Sequence, residues 1–543
     1  MITYDAIIIG AGMGGAASAY ALTQRGLSVL ILEAGEHYDP AKDYHLDQPD
    51  WEIQGFPYKA NGKGQYTFGT AQSLEDAYGT KLRSWNQQLG LLNPTNQRRF
   101  EAYHHVRGVG GSTLHFTGEA HRLNPQSMNL YSRFGVAMDW AVSYAELEPF
   151  YVQAEKIMGV AGDSKARTAC WRSEPFPLSA HPPSYTEQKL GQACQQLGLN
   201  WQANSLAVLS QAYQDRPACN YCAGCNLGCP RRDKGSADVT FIAQALKTGH
   251  CTVQTGVQVL KLEGNSNDTI KQVVYAQADG SLHQQTANIF VLAAGAIETP
   301  RLLLASDNLA NESAQVGRNF METLFFSSLA THPEALGSHR GLPTAYLCWD
   351  FNAPDAIPNV IGGCRFSPVT IEAGFTGAVQ YATRVVSGWG KAHKQAMRQQ
   401  RGNVIGITGI GEFLPNPQTF IDLDPDQKDR FGVPLARIHS ALTEMDKQRL
   451  SFIAEMNEKI LSTAGAEQIF ERYGNYDFFN STHVFGTCRM GKNPEDSVVN
   501  AQARSHRWKN LYIADASIFP SSGGGESPSL TIATLALKNF ARK

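Results

Sequence analysis

Residues 4–9 form a nearly continuous apolar run, the pattern of a parallel strand buried on both faces. A glycine-rich turn follows at 10–15. A small-residue stretch at 16–24 predicts a helix, which Gly26 ends, and residues 28–32 form a second apolar run closed by Glu33. Similar punctuation returns far along the chain. Residues 291–294 predict a strand that enters a turn and then a helical stretch through 306. Residues 510–515 predict another strand, and a helix begins near Pro528. Between these, residues 411–438 show short strands separated by turns, as in an antiparallel sheet, and residues 442–464 read as an amphipathic helix. No run of 18 or more apolar residues occurs, so no transmembrane helix is expected.

The opening pattern carries chemistry. Gly10, Gly12 and Gly15 stand in G-x-G-x-x-G register between a strand and a helix. Gly10 allows the tight turn, Gly12 lets a pyrophosphate approach the backbone, and Gly15 permits close helix–strand packing. The helix N-terminus offers free N–H groups and its positive dipole end to the phosphates. Glu33 ends the second strand, where an acid can accept hydrogen bonds from an adenosine ribose. The motif indicates a dinucleotide without choosing between NAD and FAD.

Later segments choose FAD. Residues 107–113 read RGVGGST, a second glycine-rich loop; residues 291–306 read VLAAGAIETPRLLLAS; residues 483–487 read HVFGT; and residues 515–532 run from DAS to SPSLTI. On these pieces the chain resembles, over nearly its whole length and in the same order, the glucose-methanol-choline (GMC) family of flavoprotein oxidoreductases. Asp307 departs from the family's pattern, which has Gly after the Ser. The resemblance implies an α/β fold with a discontinuous, Rossmann-like FAD-binding domain and a substrate domain built on an antiparallel sheet. It places Gly110, Gly111 and Ser112 along the cofactor, the backbone near Val259 at the adenine, and Asp515 near the pyrophosphate and ribityl chain. The domains implied are 1–125, 219–319 and 476–543 for FAD, and 126–218 and 320–475 for substrate.

The resemblance also implies alcohol oxidation, with the hydroxyl proton leaving to a base and the carbinol hydrogen moving as hydride to flavin N5. His483 matches the family's catalytic His, and an imidazole suits a base near neutral pH. The family's second position, normally Asn or His before Pro, falls on Ser527, which can hydrogen-bond but cannot act as a second base. Ser527 either lines the site or caps the helix near Pro528. Glu526 is the alternative partner. His115 stands where some members bond the flavin covalently, and a non-covalent contact is the expectation here.

Four of the ten cysteines, Cys219, Cys222, Cys225 and Cys229, spell C-x₂-C-x₂-C-x₃-C-P, the spacing of a bacterial ferredoxin run. An iron–sulfur cluster, a structural zinc and a purely structural loop all stand open, with the cluster preferred over the other two. Members that pass electrons to a cytochrome carry a Cys-rich loop in this region, as do long-chain alcohol oxidases without a cluster.

Composition changes the picture little. A formal net charge of -2 over 543 residues gives no basis for a nucleic-acid partner. The basic stretch at 389–401 reads as a solvated surface. The N-terminus lacks a basic leader region, so the default location is cytoplasmic, or periplasmic if a signal-bearing partner carries the chain. The function expected is FAD-dependent oxidation of a sugar, polyol or related alcohol. Electrons would pass to a non-oxygen acceptor, such as a cytochrome or small partner subunit. The alternatives are an oxidase making H₂O₂ from O₂ and a non-redox member of the family.

Overall fold

The structure, a computed structural model, describes residues 4–44 and 65–541. Residues 1–3, part of the leader reading, lie outside the described residues. The first apolar run is the strand Tyr4–Ile9, at the centre of a five-stranded parallel sheet. Val29–Leu32 and Ala287–Leu292 flank it, and Cys251–Gln254 and Leu511–Ile513 complete the edges. Ala6, Ile7 and Ile8 have no exposed surface, as the uninterrupted apolar pattern requires of a strand covered on both sides. The five strands come from both ends and the middle of the chain, so the sheet is discontinuous in sequence.

The opening helix spans Met13–Thr23, three residues earlier than the small-residue pattern suggests. Gly12 is its N-cap, so the helix starts inside the glycine motif. A Cβ on Gly15 would lie 2.0 Å from the Gly10 carbonyl oxygen, and one on Gly14 would lie 1.5 Å from that of Ala514. The helix therefore rests directly on backbone at the end of the first strand and at the end of the last one. It packs along the C-terminal helix Ser529–Phe540.

A second, eight-stranded sheet is antiparallel throughout. Its central strands are Gln468–Gly474, Leu324–Thr331, Val404–Gly411 and Cys364–Pro368. The predicted amphipathic helix forms over Glu444–Thr463, started by a capping box between Thr443 and Asp446. It covers one face: Ile453 sits where a Gly409 Cβ would be, and Asn457 Nδ2 donates to the Phe326 carbonyl at 2.9 Å. Strand alternation then turns Phe325, Ser327, Thr408, Ile410 and Tyr473 to the opposite face, where they line a cavity. Of the short strands expected within 411–438, Phe420–Lys428 and Pro434–His439 pair antiparallel, in a separate sheet with Tyr66–Phe68. The basic stretch becomes the helix Gly390–Gln400, which has no buried residue. Among the described residues no helix is long and apolar enough to cross a membrane.

Gly14→Ala should push the opening helix off Ala514, at a cost of about 1–3 kcal/mol for a forced overpacking. Chemical denaturation should show the loss of stability, and the purified variant should carry less FAD than the wild type.

Candidate active site

The two glycine loops meet at one end of a single cavity of about 610 Å³ between the two large sheets. Gly10 takes φ +100° and Gly110 φ +111°, conformations that other residues rarely adopt. Gly111 lies against the first turn, since its Cβ would come within 2.7 Å of Gly12 Cα, and Gly110 N donates to the Ala11 carbonyl at 2.9 Å. Gly12 faces open space: a Cβ there would meet nothing nearer than Gly111 Cα at 4.0 Å. Gly10, Gly12, Gly111 and Ser112 line the cavity, while Gly15 and Gly110 act through packing behind it. Glu33 is 6% exposed and lines the same end; its carboxylate accepts from Ala11 N and Gly35 N, each at 2.8 Å. Val259 also lines this end. Asp515 accepts from Gly295 N at 2.9 Å and from Thr299 Oγ1 at 2.6 Å, which fixes it beside the turn into helix Gly295–Ala305.

These residues fit a dinucleotide cofactor. The cradle at Gly12 is open, a helix N-terminus points into it, and buried polar atoms of the wall lack hydrogen-bond partners. These are both ring nitrogens of His105, which lack any hydrogen-bond partner, and Oε1 of Glu298, which lacks a hydrogen bond and has only the Arg107 guanidinium at 3.7 Å. His115 lines the cavity as well.

The reactive end lies along the same cavity. His483 follows the strand Phe478–Ser481, and its backbone is held on both sides: Thr323 Oγ1 accepts from its N–H and donates to its carbonyl, both at 3.0 Å. Burial holds the His483 imidazole at about 4; the Glu119 carboxylate pulls it upward and Arg365 pushes it down. The ring is therefore a neutral base at ordinary pH.

Ser527 also lines the cavity. Its hydroxyl donates to Glu119 Oε2 at 2.7 Å and its N–H donates to His121 Nδ1 at 3.0 Å. With Nδ1 accepting, the His121 proton sits on Nε2, which donates to Asn204 Oδ1 at 2.8 Å. Burial holds this ring neutral too, at about 4. Arg365 Nη2 donates to Glu119 Oε2 at 2.6 Å and its Nε to the Gly525 carbonyl at 2.7 Å. Burial would raise the Glu119 carboxyl, but Arg365, with help from Ser527, holds it below the usual carboxylate range.

Two expectations change here. Ser527 does not cap the last helix: that helix begins at Ser529 after Pro528, without a side-chain cap. Glu526 does not take the second position in place of Ser527 either, because its carboxylate turns to Asn124 N at 3.0 Å and Asn352 Nδ2 at 2.8 Å, away from the cavity. The hydrogen-bond partners of Ser527 are Glu119 and His121, which the sequence alone does not single out, nor does it single out Arg365 and Glu372. One signal was available: Glu119 and His121 alternate just beyond the second glycine loop.

The four clustered cysteines lie near one another without forming a metal-ligand set. Among the described residues no three His, Cys, Asp or Glu side chains are arranged to hold a metal ion. Tyr221 (φ 57°) and Ala223 (φ 62°) interrupt the run with left-handed turns; Cys222 is exposed while Cys225 is buried among Leu206, Val208 and Leu342. Burial raises the Cys219 thiol to about 12 and also raises Cys225 and Cys229. Among the described residues the iron–sulfur and zinc readings find no ligand set. The loop is pinned instead by Lys234, whose buried ammonium donates to the carbonyls of Leu114 (2.9 Å), Phe116 (3.0 Å) and Cys225 (2.6 Å).

Residues 4–324 match the N-terminal family model described as GMC oxidoreductase, and residues 415–536 match the C-terminal one. The chain is 28% identical to the fructose dehydrogenase large subunit of Gluconobacter japonicus, over 99% of this chain and 97% of that one. It is 28% identical to 2-methyl-1,2-propanediol dehydrogenase of Mycolicibacterium austroafricanum, over 98% and 94%. Its fold is shared with formate oxidase from Aspergillus oryzae RIB40, a structure concerned with FAD modification, at a TM-score of 0.65 and 14% identity over 99% and 97% of the two chains.

Arg365→Met should destabilise the protein by roughly 3–5 kcal/mol, because Glu119 is left buried and unpaired. Urea denaturation at neutral pH should show the loss, and Arg365→Met with Glu119→Leu should recover most of it. The pair's contribution in the wild type should be fully present above the ordinary Glu value of 4.5, decline as pH falls below it and be lost as pH passes the folded value of about 2, since folding lowers the Glu119 carboxyl.

Proposed function

The chain belongs to the GMC oxidoreductase family, and on that footing we propose that it oxidises an alcohol group of a sugar, polyol or related compound to a carbonyl with FAD. The observation that carries the reading is one continuous cavity, with a dinucleotide cradle at one end and a neutral imidazole, His483, at the other. FAD bound there supplies the two-electron acceptor for the carbinol hydrogen.

The chain's own residues handle the proton and the geometry. His483 accepts the hydroxyl proton at the imidazole nitrogen that faces the cavity. Its low affinity for protons in the free site keeps that nitrogen vacant until substrate arrives. Ser527 has committed its hydrogen to Glu119, so it offers lone pairs to the substrate hydroxyl and orients it. The sheet wall of Phe325, Ser327, Thr408 and Ile410 closes the site on one side and limits water around the reacting carbon. The dehydrogenase relatives support a non-oxygen electron acceptor, such as a cytochrome or a small partner subunit.

His483→Ala should keep its FAD and lose about 10²- to 10⁴-fold in the rate at which an alcohol bleaches the flavin without oxygen. Normal bleaching by the variant would remove His483 from the reaction. A dye should support turnover in air with no peroxide formed; stoichiometric peroxide would make the protein an oxidase. Acid precipitation should leave all flavin in the supernatant, as a non-covalent contact at His115 requires; flavin retained on the pellet would contradict it.

A further inference from the structure

One carboxylate at the reactive end has no task in this scheme. Glu372 lies beyond the strand Cys364–Pro368, with its side chain open to the cavity. The other carboxylate there, Glu119, is saturated by Ser527, Arg365 and Asn204. Glu372 has a hydrogen bond from the Thr117 side chain, and no cation is committed to it. Arg365 faces it but is bound to Glu119 and to the Gly525 carbonyl. Of the residues lining the cavity, among those described, Arg107 is the one Lys or Arg, and it pairs with Glu298 near the dinucleotide cradle. The wall beside Glu372 offers neutral hydroxyls, from Ser327, Thr408 and Tyr473.

A carboxylate in such a space, faced by one guanidinium that is already paired with Glu119, keeps acceptor capacity for a ligand's hydrogen-bond donors and repels negative charge. We propose that Glu372 sets substrate specificity: it accepts hydrogen bonds from hydroxyl or ammonium groups of the substrate away from the reacting carbinol, and it excludes substrates that bring a carboxylate. The inference rests on the alcohol-oxidising reading and deepens it. The side chain is exposed within the open cavity, yet desolvation by the surrounding protein, and next the negative charge of Glu119, push the Glu372 carboxyl above the usual carboxylate range, with Arg365 opposing. Exclusion therefore grows as pH rises and Glu372 ionises. The other groups facing it hold still: Glu119 stays ionised, His483 stays neutral and the Tyr473 phenol stays protonated, its own titration being raised by burial to about 12.

Three open-chain hexitol derivatives test this on the FAD-loaded protein: sorbitol, its 1-amino counterpart glucamine, and gluconate. They share a carbon chain and differ in the terminal group. Dissociation constants come from the anaerobic flavin spectrum, through the concentration dependence of bleaching or, where nothing bleaches, through the shift of the absorption bands. Lack of bleaching by any alcohol would thus count against oxidation, while the binding order alone judges Glu372. At about pH 8.5 the wild type should bind sorbitol or glucamine about ten-fold or more tightly than gluconate, equivalent to ~1.4 kcal/mol. Tightest binding by glucamine would identify the favoured donor as ammonium, and by sorbitol as hydroxyl. Glu372→Gln should bring the preference within about three-fold, Glu372→Asp should retain it, and lowering the wild type to about pH 5.5 should weaken it. The proposal is overturned if gluconate binds the wild type as tightly as the other two, if neither sorbitol nor glucamine binds it, or if the preference survives in Glu372→Gln.

Discussion

A carboxylate removed from water has to be neutralised, and in this protein the Glu119–Arg365 pair meets that demand at the point where three parts of the chain converge. Glu119 follows the second glycine loop, Arg365 comes from a central strand of the antiparallel sheet, and Ser527 precedes the last helix. Both charged side chains are nearly inaccessible, at 8% and 1% side-chain exposure. An ion pair so placed fixes register more than it adds net stability, because its attraction mainly offsets desolvation. Its consequence is positional. The hydroxyl of Ser527 has one acceptor in reach, and the imidazoles of His121 and His483 sit in an environment that keeps them neutral.

The opposite end of the cavity depends on backbone contact instead of charge. Gly14 rests on Ala514, Gly15 on Gly10, and Gly111 on Gly12, each closer than any Cβ would permit. Those contacts bring the opening helix, the second glycine loop and the last strand of the parallel sheet together around Gly12. The cradle and the base are more than 450 residues apart in sequence, yet they share a wall because Leu511–Ile513 is a neighbour of Ala287–Leu292 in the same sheet. The C-terminal helix that follows Ser527 packs on the opening helix, so the position of the reactive end is referred back to the glycine turn.

Much of this arrangement was legible locally. The apolar run at Tyr4–Ile9, the glycine spacing and the 3.6-residue periodicity of Glu444–Thr463 each express a short-range rule, and each appears where that rule puts it. His483 and Ser527 were found through the resemblance. Glu119, His121, Arg365 and Glu372 were not, because their roles arise only when separate segments meet, and a lone Arg inside the strand Cys364–Pro368 gives no sign of its partner. The cysteines show the converse failure. Their spacing is that of a ligand set, but spacing does not encode direction, and left-handed residues between them send Cys222 outward and Cys225 inward.

The central claim is that the base at the reactive end is an imidazole held neutral by burial. The pH dependence of the second-order rate constant for anaerobic flavin reduction, measured at low concentrations of an uncharged alcohol, tests it most directly, since that constant reports titrations of the free site and the alcohol brings none of its own. The account predicts a rate that stays level through the slightly acidic range and falls only with an inflexion near 4. An inflexion near 6.5, the ordinary value for histidine, would show that His483 is not held in the environment described, and would contradict the account.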